Sequence, residues 1–343
     1  MPLPSLLTRA TAAVDRQVLR FMERRMRTGA PRKLDDARER LLELAERYGT
    51  DTLGTPSRFF PEPPPAEMRE KQVGDGVIDL SYASTYKPFV RSYLDEHERW
   101  RANLVAHARL YTRGPKRPTI VILHGWGGGA YFFEERAFVV PYWLRLGYDV
   151  ALAQLPFHGE RAERDMRSGA LFPSAHLVRT NEGFGQAIHD LRALATWLRA
   201  RGASAIGAMG MSLGGYTTAL WSTIEPLDFA VAMIPAVSMS DLMWRHGEQS
   251  PARRAAEKAG VSGDLLDDVF RVHAPTTRPP RVARERLMIV AGRGDRITPP
   301  DHAEMLRAHW GGCAIHWFPG GHLAQVGRGD AFRAVRRHLE QIR

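Results

Sequence analysis

The stretch Ala203-Ser204-Ala205-Ile206-Gly207-Ala208-Met209-Gly210-Met211-Ser212-Leu213-Gly214-Gly215-Tyr216-Thr217-Thr218-Ala219-Leu220-Trp221 decides how this chain is read. An apolar, strand-like run ends at Gly210, and a helix-compatible run begins near Tyr216. Between them stands Gly-Met-Ser-Leu-Gly. Gly-x-Ser-x-Gly at a strand-to-helix junction is the pattern of a nucleophile elbow, a turn so sharp that the serine is held in a strained backbone conformation. Residues two before and two after the serine must then be small, and Gly210 and Gly214 meet that need. A glycine-rich turn with an ordinary N-cap serine fits the same residues. The surrounding chain has to decide.

Outward from this stretch, short apolar runs recur at 119–123, 149–153, 205–209, 229–234, 287–291 and 314–318. Such runs suit parallel strands buried on both faces. Helix-length segments lie between them at about 131–145, 183–201, 213–224, 300–310 and 329–342. Two earlier segments, 77–82 and 104–111, alternate like half-exposed strands. This order predicts an α/β fold, a mostly parallel central sheet flanked by helices. The interval 238–282 is too long for one crossover and predicts a small cap insertion over the strand ends.

In an open parallel sheet, sites form beyond the carboxyl ends of the strands. Three strand ends carry residues that a reactive serine would need. After 314–318 comes Pro319-Gly320-Gly321-His322. His322 is the candidate base for Ser212, since a serine hydroxyl needs a proton acceptor to attack at neutral pH; the two glycines before it would let the loop bend toward the nucleophile. After 287–291 comes Gly292-Arg293-Gly294-Asp295. Asp295 is the candidate acid that fixes the histidine tautomer, with Asp241, after 229–234, as the alternative acid. After 119–123 comes His124-Gly125-Trp126-Gly127-Gly128-Gly129. The Trp126 N–H, with that of Leu213 after the nucleophile, would form the oxyanion hole. His124, Gly125 and Gly127 would support that loop. It lacks the endings of a phosphate-binding loop.

These four motifs, in the chain order Ser212, Asp295, His322, resemble the α/β-hydrolase superfamily from about residue 76 onward. The resemblance implies a serine hydrolase that cleaves a carboxylic ester or thioester through an acyl-enzyme. Lipid deacylase, acyltransferase, peptidase and a non-catalytic ligand-binding protein are the alternatives on the same scaffold. No metal and no organic cofactor is implied. The segment Leu155-Pro156-Phe157-His158-Gly159-Glu160-Arg161 departs from the family's commoner Asp-x-Pro-Gly-His-Gly loop. With the long region ahead of the sheet, this points to the dienelactone-hydrolase-related branch, or a neighbouring one, rather than the common lipases.

Residues 3–28 read as an amphipathic helix with Leu3, Leu7, Ala10, Val14, Val18, Phe21 and Met22 on its apolar stripe. A second helix with Leu34, Leu41, Leu42, Leu44 and Ala45 follows Gly29-Ala30-Pro31. The pair packs on the main domain or on a second copy of the chain, or touches a membrane peripherally through residues 3–28. On the membrane reading it is dispensable for cleaving a soluble ester. The proline-rich 55–65 reads as an extended linker. The expected organisation is therefore a helical extension and linker (1–65) and a hydrolase domain (66–343).

The net charge of +10 is carried mostly by arginines spread along the chain, with no basic stripe interleaved with aromatics, so nucleic acid is not an expected partner. A small-molecule or acyl-chain substrate is. The single cysteine, Cys313, rules out an internal disulfide and fits a reducing compartment. No apolar run approaches the ~20 residues of a membrane span. The expected location is cytoplasmic, with membrane association if residues 3–28 bind lipid.

Overall fold

The computed structural model describes residues 5–26 and 37–342. They form two compact units, one of residues 55–232 and 280–286, the other of residues up to 54, 233–279 and from 287 onward.

The larger unit is built on β1 (Arg69–Gly74), β2 (Val77–Ala83), β3 (Val105–Tyr111), β4 (Thr119–Leu123), β5 (Asp149–Ala153), β6 (Ile206–Met211) and β7 (Phe229–Met233). They lie side by side in the order β1-β2-β3-β5-β4-β6-β7. β1, β2, β3 and β5 are joined antiparallel, and β4 pairs parallel with both β5 and β6. Every residue of β4, β5 and β7 is buried, as their largely apolar runs require when both faces are covered. Helix Leu177–Ala200 carries Phe184 between Phe172 and Tyr216, each ring centroid 4.8 Å away. The buried Arg161 guanidinium meets Asp190 at 2.8 Å and the Asn103 carbonyl at 3.0 Å, tying the segment after β5 to that helix.

The other unit contains β8 (Leu287–Gly292) and β9 (Ala314–Phe318), paired parallel from Met288↔Ala314 to Gly292↔Phe318. Helices Pro300–His309 and Arg328–Gln341 pack on these strands. The interval after β7 holds helices Met239–His246, Pro251–Lys258 and Gly263–Phe270, and the last of these packs on helix Ala37–Arg47. All three begin at a serine whose side chain caps the helix.

Several elements differ from expectation. β1 is exposed throughout, with sequence Arg-Glu-Lys-Gln-Val-Gly, so it has no apolar alternation to announce it. The expected helix 131–145 is two, Tyr131–Ala137 and Val140–Arg145, because Val139 takes a left-handed conformation (φ 48°). The expected linker is anchored: Phe59 and Phe60 are buried, in edge contact with each other and, for Phe59, with Phe89.

The expected N-terminal helix is Leu6–Met26, α1. Its buried residues are Thr8, Thr11, Ala12 and Asp15, whereas Leu7, Ala10 and Val14 are exposed. Leu3, Leu34 and the burial of Phe21 and Met22 lie outside the described residues. Among the described residues no helix is long and apolar enough to cross a membrane.

Candidate active site

In the larger unit, β6 runs into helix Leu213–Ile224 through Ser212, whose backbone sits at φ 58°, ψ −113°. A non-glycine residue in this region is strained, and such strain persists only where the surroundings enforce it. They do so here by steric exclusion. A Cβ on Gly210 would stand 2.0 Å from the Gly214 carbonyl oxygen, and one on Gly214 would stand 2.1 Å from the Leu123 carbonyl oxygen. Both positions therefore admit only glycine, as the spacing implied. Leu213 is the first residue of the helix, so its amide is among the donors that have no acceptor within the helix.

The loop after β4 lies against this turn: a Cβ placed on Gly125 would be 3.5 Å from the Ser212 Cβ. Gly127 has a left-handed backbone (φ 77°) and Gly128 closes a turn onto the Gly125 carbonyl at 3.0 Å. The Trp126 indole is half exposed and donates to the Gly169 carbonyl at 2.8 Å. His124 is buried and braces the loop. Its Nε2 accepts from the Leu155 amide at 3.1 Å, which leaves the proton on Nδ1 to reach the Gly125 carbonyl at 2.8 Å. Burial pushes the His124 imidazole down to about 4, so the ring stays neutral.

In the other unit, the loops after β8 and β9 bring Asp295 and His322 together. His322 Nδ1 donates to Asp295 Oδ2 at 2.8 Å. Asp295 is 1% exposed, and its Oδ1 accepts from the amides of Ile297 and Thr298 at 2.9 and 2.8 Å. The Thr298 hydroxyl lies 2.9 Å from Asp295 Oδ2, 3.0 Å from His322 Nδ1 and 3.0 Å from the Ile234 carbonyl. This is a histidine with one tautomer imposed, leaving Nε2 as the basic nitrogen.

Asp241 is engaged elsewhere. It accepts from His302 Nε2 at 2.9 Å and pairs with Arg245 at 3.0 Å, while His302 Nδ1 accepts from the Val237 amide. The carboxylate on His322 is Asp295, because Asp241 sits at the start of the helix that follows β7 and faces helix Pro300–His309.

Sequence reasoning missed two residues here. Thr298, three positions after Asp295, joins the carboxylate to the imidazole. Asp15, on α1, is fully buried and accepts from the amides of Arg296 (3.1 Å), His322 (2.8 Å) and Leu323 (3.1 Å). Its one local signal is a carboxylate interrupting the helix.

Comparison with known proteins adds four findings. The prolyl oligopeptidase family model matches residues 179–310. An uncharacterized protein of Mycobacterium tuberculosis is 29% identical over 358 aligned positions, covering 98% of this chain and 83% of that one. Among solved structures, acetyl xylan esterase 1 of a Thermoanaerobacterium species superposes with a TM-score of 0.58 at 17% identity, covering 87% of this chain and 98% of its own. The acetyl xylan esterase of a Paenibacillus species gives 0.55 at 15% identity, covering 91% and 95%. Likeness at this identity speaks to the fold alone: a mostly parallel sheet flanked by helices.

Proposed function

We propose that this chain, a member of the α/β-hydrolase superfamily, is a serine hydrolase that cleaves a carboxylic ester or thioester. The observation that carries the reading is Ser212, held at φ 58° between two glycines that tolerate no side chain. Nothing in the packing of a plain helix N-terminus calls for that strain.

In the proposed reaction His322 Nε2 takes the Ser212 proton as Oγ attacks the substrate carbonyl. The Leu213 and Trp126 amides stabilise the oxyanion, at about 3–4 kcal/mol per donor in the transition state. Collapse expels the alcohol or thiol, protonated by His322, and leaves an acyl-serine. Water, deprotonated by His322, releases the acid and restores the serine. Asp295 holds the imidazole in the tautomer these steps need. Acetyl esters are the first substrates to test, since both esterases sharing the fold are named for them.

The decisive experiment pairs p-nitrophenyl acetate turnover with fluorophosphonate labelling. Ser212→Ala should abolish both and leave the circular dichroism spectrum unchanged. Turnover surviving in that variant would sink the reading. An intact chain that neither turns over esters nor labels would be the non-catalytic binding protein instead. The prolyl oligopeptidase match favours one second reading, a peptidase on the same triad. Aminoacyl p-nitroanilides cleaved faster than the matched esters would select it.

The outward face of α1 supports a peripheral contact with an anionic bilayer. Leu6, Leu7 and Val14 are exposed, and Arg9, Arg16 and Arg20, also exposed, flank them along the helix.

A further inference from the structure

Asp295 and His322 stand on separate loops, so their mutual geometry is only as good as whatever holds those loops in register. Part of the register is internal: the Arg293 and Gly294 amides donate to the Phe318 and Gly320 carbonyls, both at 2.9 Å. The rest comes from a distant helix. Asp15 Oδ2 accepts at once from the amide next to Asp295 and from the amide of His322 itself, and its Oδ1 accepts from Leu323. Bonds to an ionised acceptor are the stronger kind. A single carboxylate thus bridges the acid loop and the base loop.

The glycines of both motifs fit this clamp better than they fit loop flexibility. A Cβ on Gly321 would stand 2.8 Å from Asp15 Oδ2 and 3.1 Å from the Thr11 carbonyl oxygen. One on Gly294 would stand 2.5 Å from the Thr11 hydroxyl and 2.9 Å from the Thr8 carbonyl oxygen. Neither is given a left-handed φ. Both loops are bare where the helix presses on them, and the helix presents Thr8, Thr11, Ala12 and Asp15 to them.

We propose that Asp15 is a positioning residue for the Asp295–His322 pair, and that α1 thereby belongs to the hydrolytic machinery. This rests on the serine-hydrolase reading above. It also reverses the expectation that residues up to about 50 are dispensable for soluble esters: removing them should cost turnover.

The test is Asp15→Asn in the full chain. The carboxamide keeps the volume, but offers one acceptor oxygen and turns an NH2 toward an amide donor. Turnover of p-nitrophenyl acetate should fall on the order of 10²-fold in kcat, the scale expected when a reacting group is slightly misplaced, with KM within about twofold. The low-field proton resonance of His322 Nδ1, identified by its loss in His322→Gln, should shift or broaden. Asp15→Asn should also cost little more when added to Asp295→Asn, because both act through the same imidazole; a merely structural role would give additive losses. Gly321→Ala, which pushes a methyl group at Asp15 Oδ2, should reproduce the kcat loss. If Asp15→Asn does not fold, hydrogen exchange on the wild-type chain still decides: the amides of Arg296, His322 and Leu323 should exchange as slowly as those of β8. Exchange at exposed-loop rates, unchanged kcat and resonance, or additive losses would each overturn the proposal. Turnover that survives Ser212→Ala would remove the reading beneath it; turnover that needs Ser212 but ignores Asp15→Asn removes the proposal alone.

Discussion

His322 Nδ1 donates to Asp295 Oδ2 over 2.8 Å, and every oxygen of that carboxylate is engaged. With Oδ1 fixed by the Ile297 and Thr298 amides, the carboxylate cannot rotate away, so the imidazole has one orientation and one tautomer.

Asp295→Asn should therefore lower kcat by about 10⁴, since the carboxamide would present a donor to Nδ1 and favour the wrong tautomer. Asp241→Asn should lower the melting temperature and spare kcat, because its partner is the buried His302. Initial rates for the two variants on one ester decide between these carboxylates. A larger kcat loss for Asp241→Asn would reassign the acid.

Adding one methyl group at the elbow should be enough to break it. Gly214→Ala places Cβ 2.1 Å from the Leu123 carbonyl oxygen, and backbone on both sides leaves no flexible side chain to yield. Overpacking of this kind costs about 3 kcal/mol or more. Urea denaturation should show a lower midpoint with an unchanged slope, and fluorophosphonate labelling should fall with it.

Acid should destabilise the fold well above the pH at which carboxylates titrate. Burial holds His124 near about 4 and His158 near about 3, against an ordinary value of 6.5. Between pH 6.5 and 4 the unfolded chain takes up protons that the folded chain refuses, so stability rises with pH across that window and is lost on acidification. His124 alone would account for about 3 kcal/mol by pH 4. Melting temperatures measured from pH 7 to 4.5 should decline steeply, and His158→Leu should flatten the decline. A flat profile in the wild-type chain would refute the assignment.

The outer face of α1 can be separated from its inner one. Replacing Leu6, Leu7 and Val14 together by serine should abolish co-sedimentation with phosphatidylserine vesicles while leaving turnover of p-nitrophenyl acetate within about twofold. Sedimentation that persists in the triple variant would exclude this face as the lipid contact.

Much of the fold was legible because it obeys one rule: strands buried on both faces are made of largely apolar runs, and β4 and β5 span the same residues in sequence and structure. The elbow was legible for a related reason, as steric exclusion at Gly210 and Gly214 leaves a mark in the residue type itself. α1 was legible as a helix, but which of its faces packs inward was not. Its inner face meets loop backbone, so small and polar groups are the right complement, and Leu7, Ala10 and Val14 face out. Asp15 could not be found by spacing, since its partners lie 281 to 308 positions away. Choosing between Asp295 and Asp241 was equally nonlocal: each follows a strand, and only packing shows which one meets His322.

That separation also orders events during synthesis. A chain made from its amino end completes α1 long before residue 323 exists, and closing a loop of some three hundred residues is a slow, entropically costly step. Until it closes, the Asp15 carboxylate stays hydrated and the acid and base loops lack their clamp. On the proposed function, hydrolysis would therefore await the joining of α1 to these two loops.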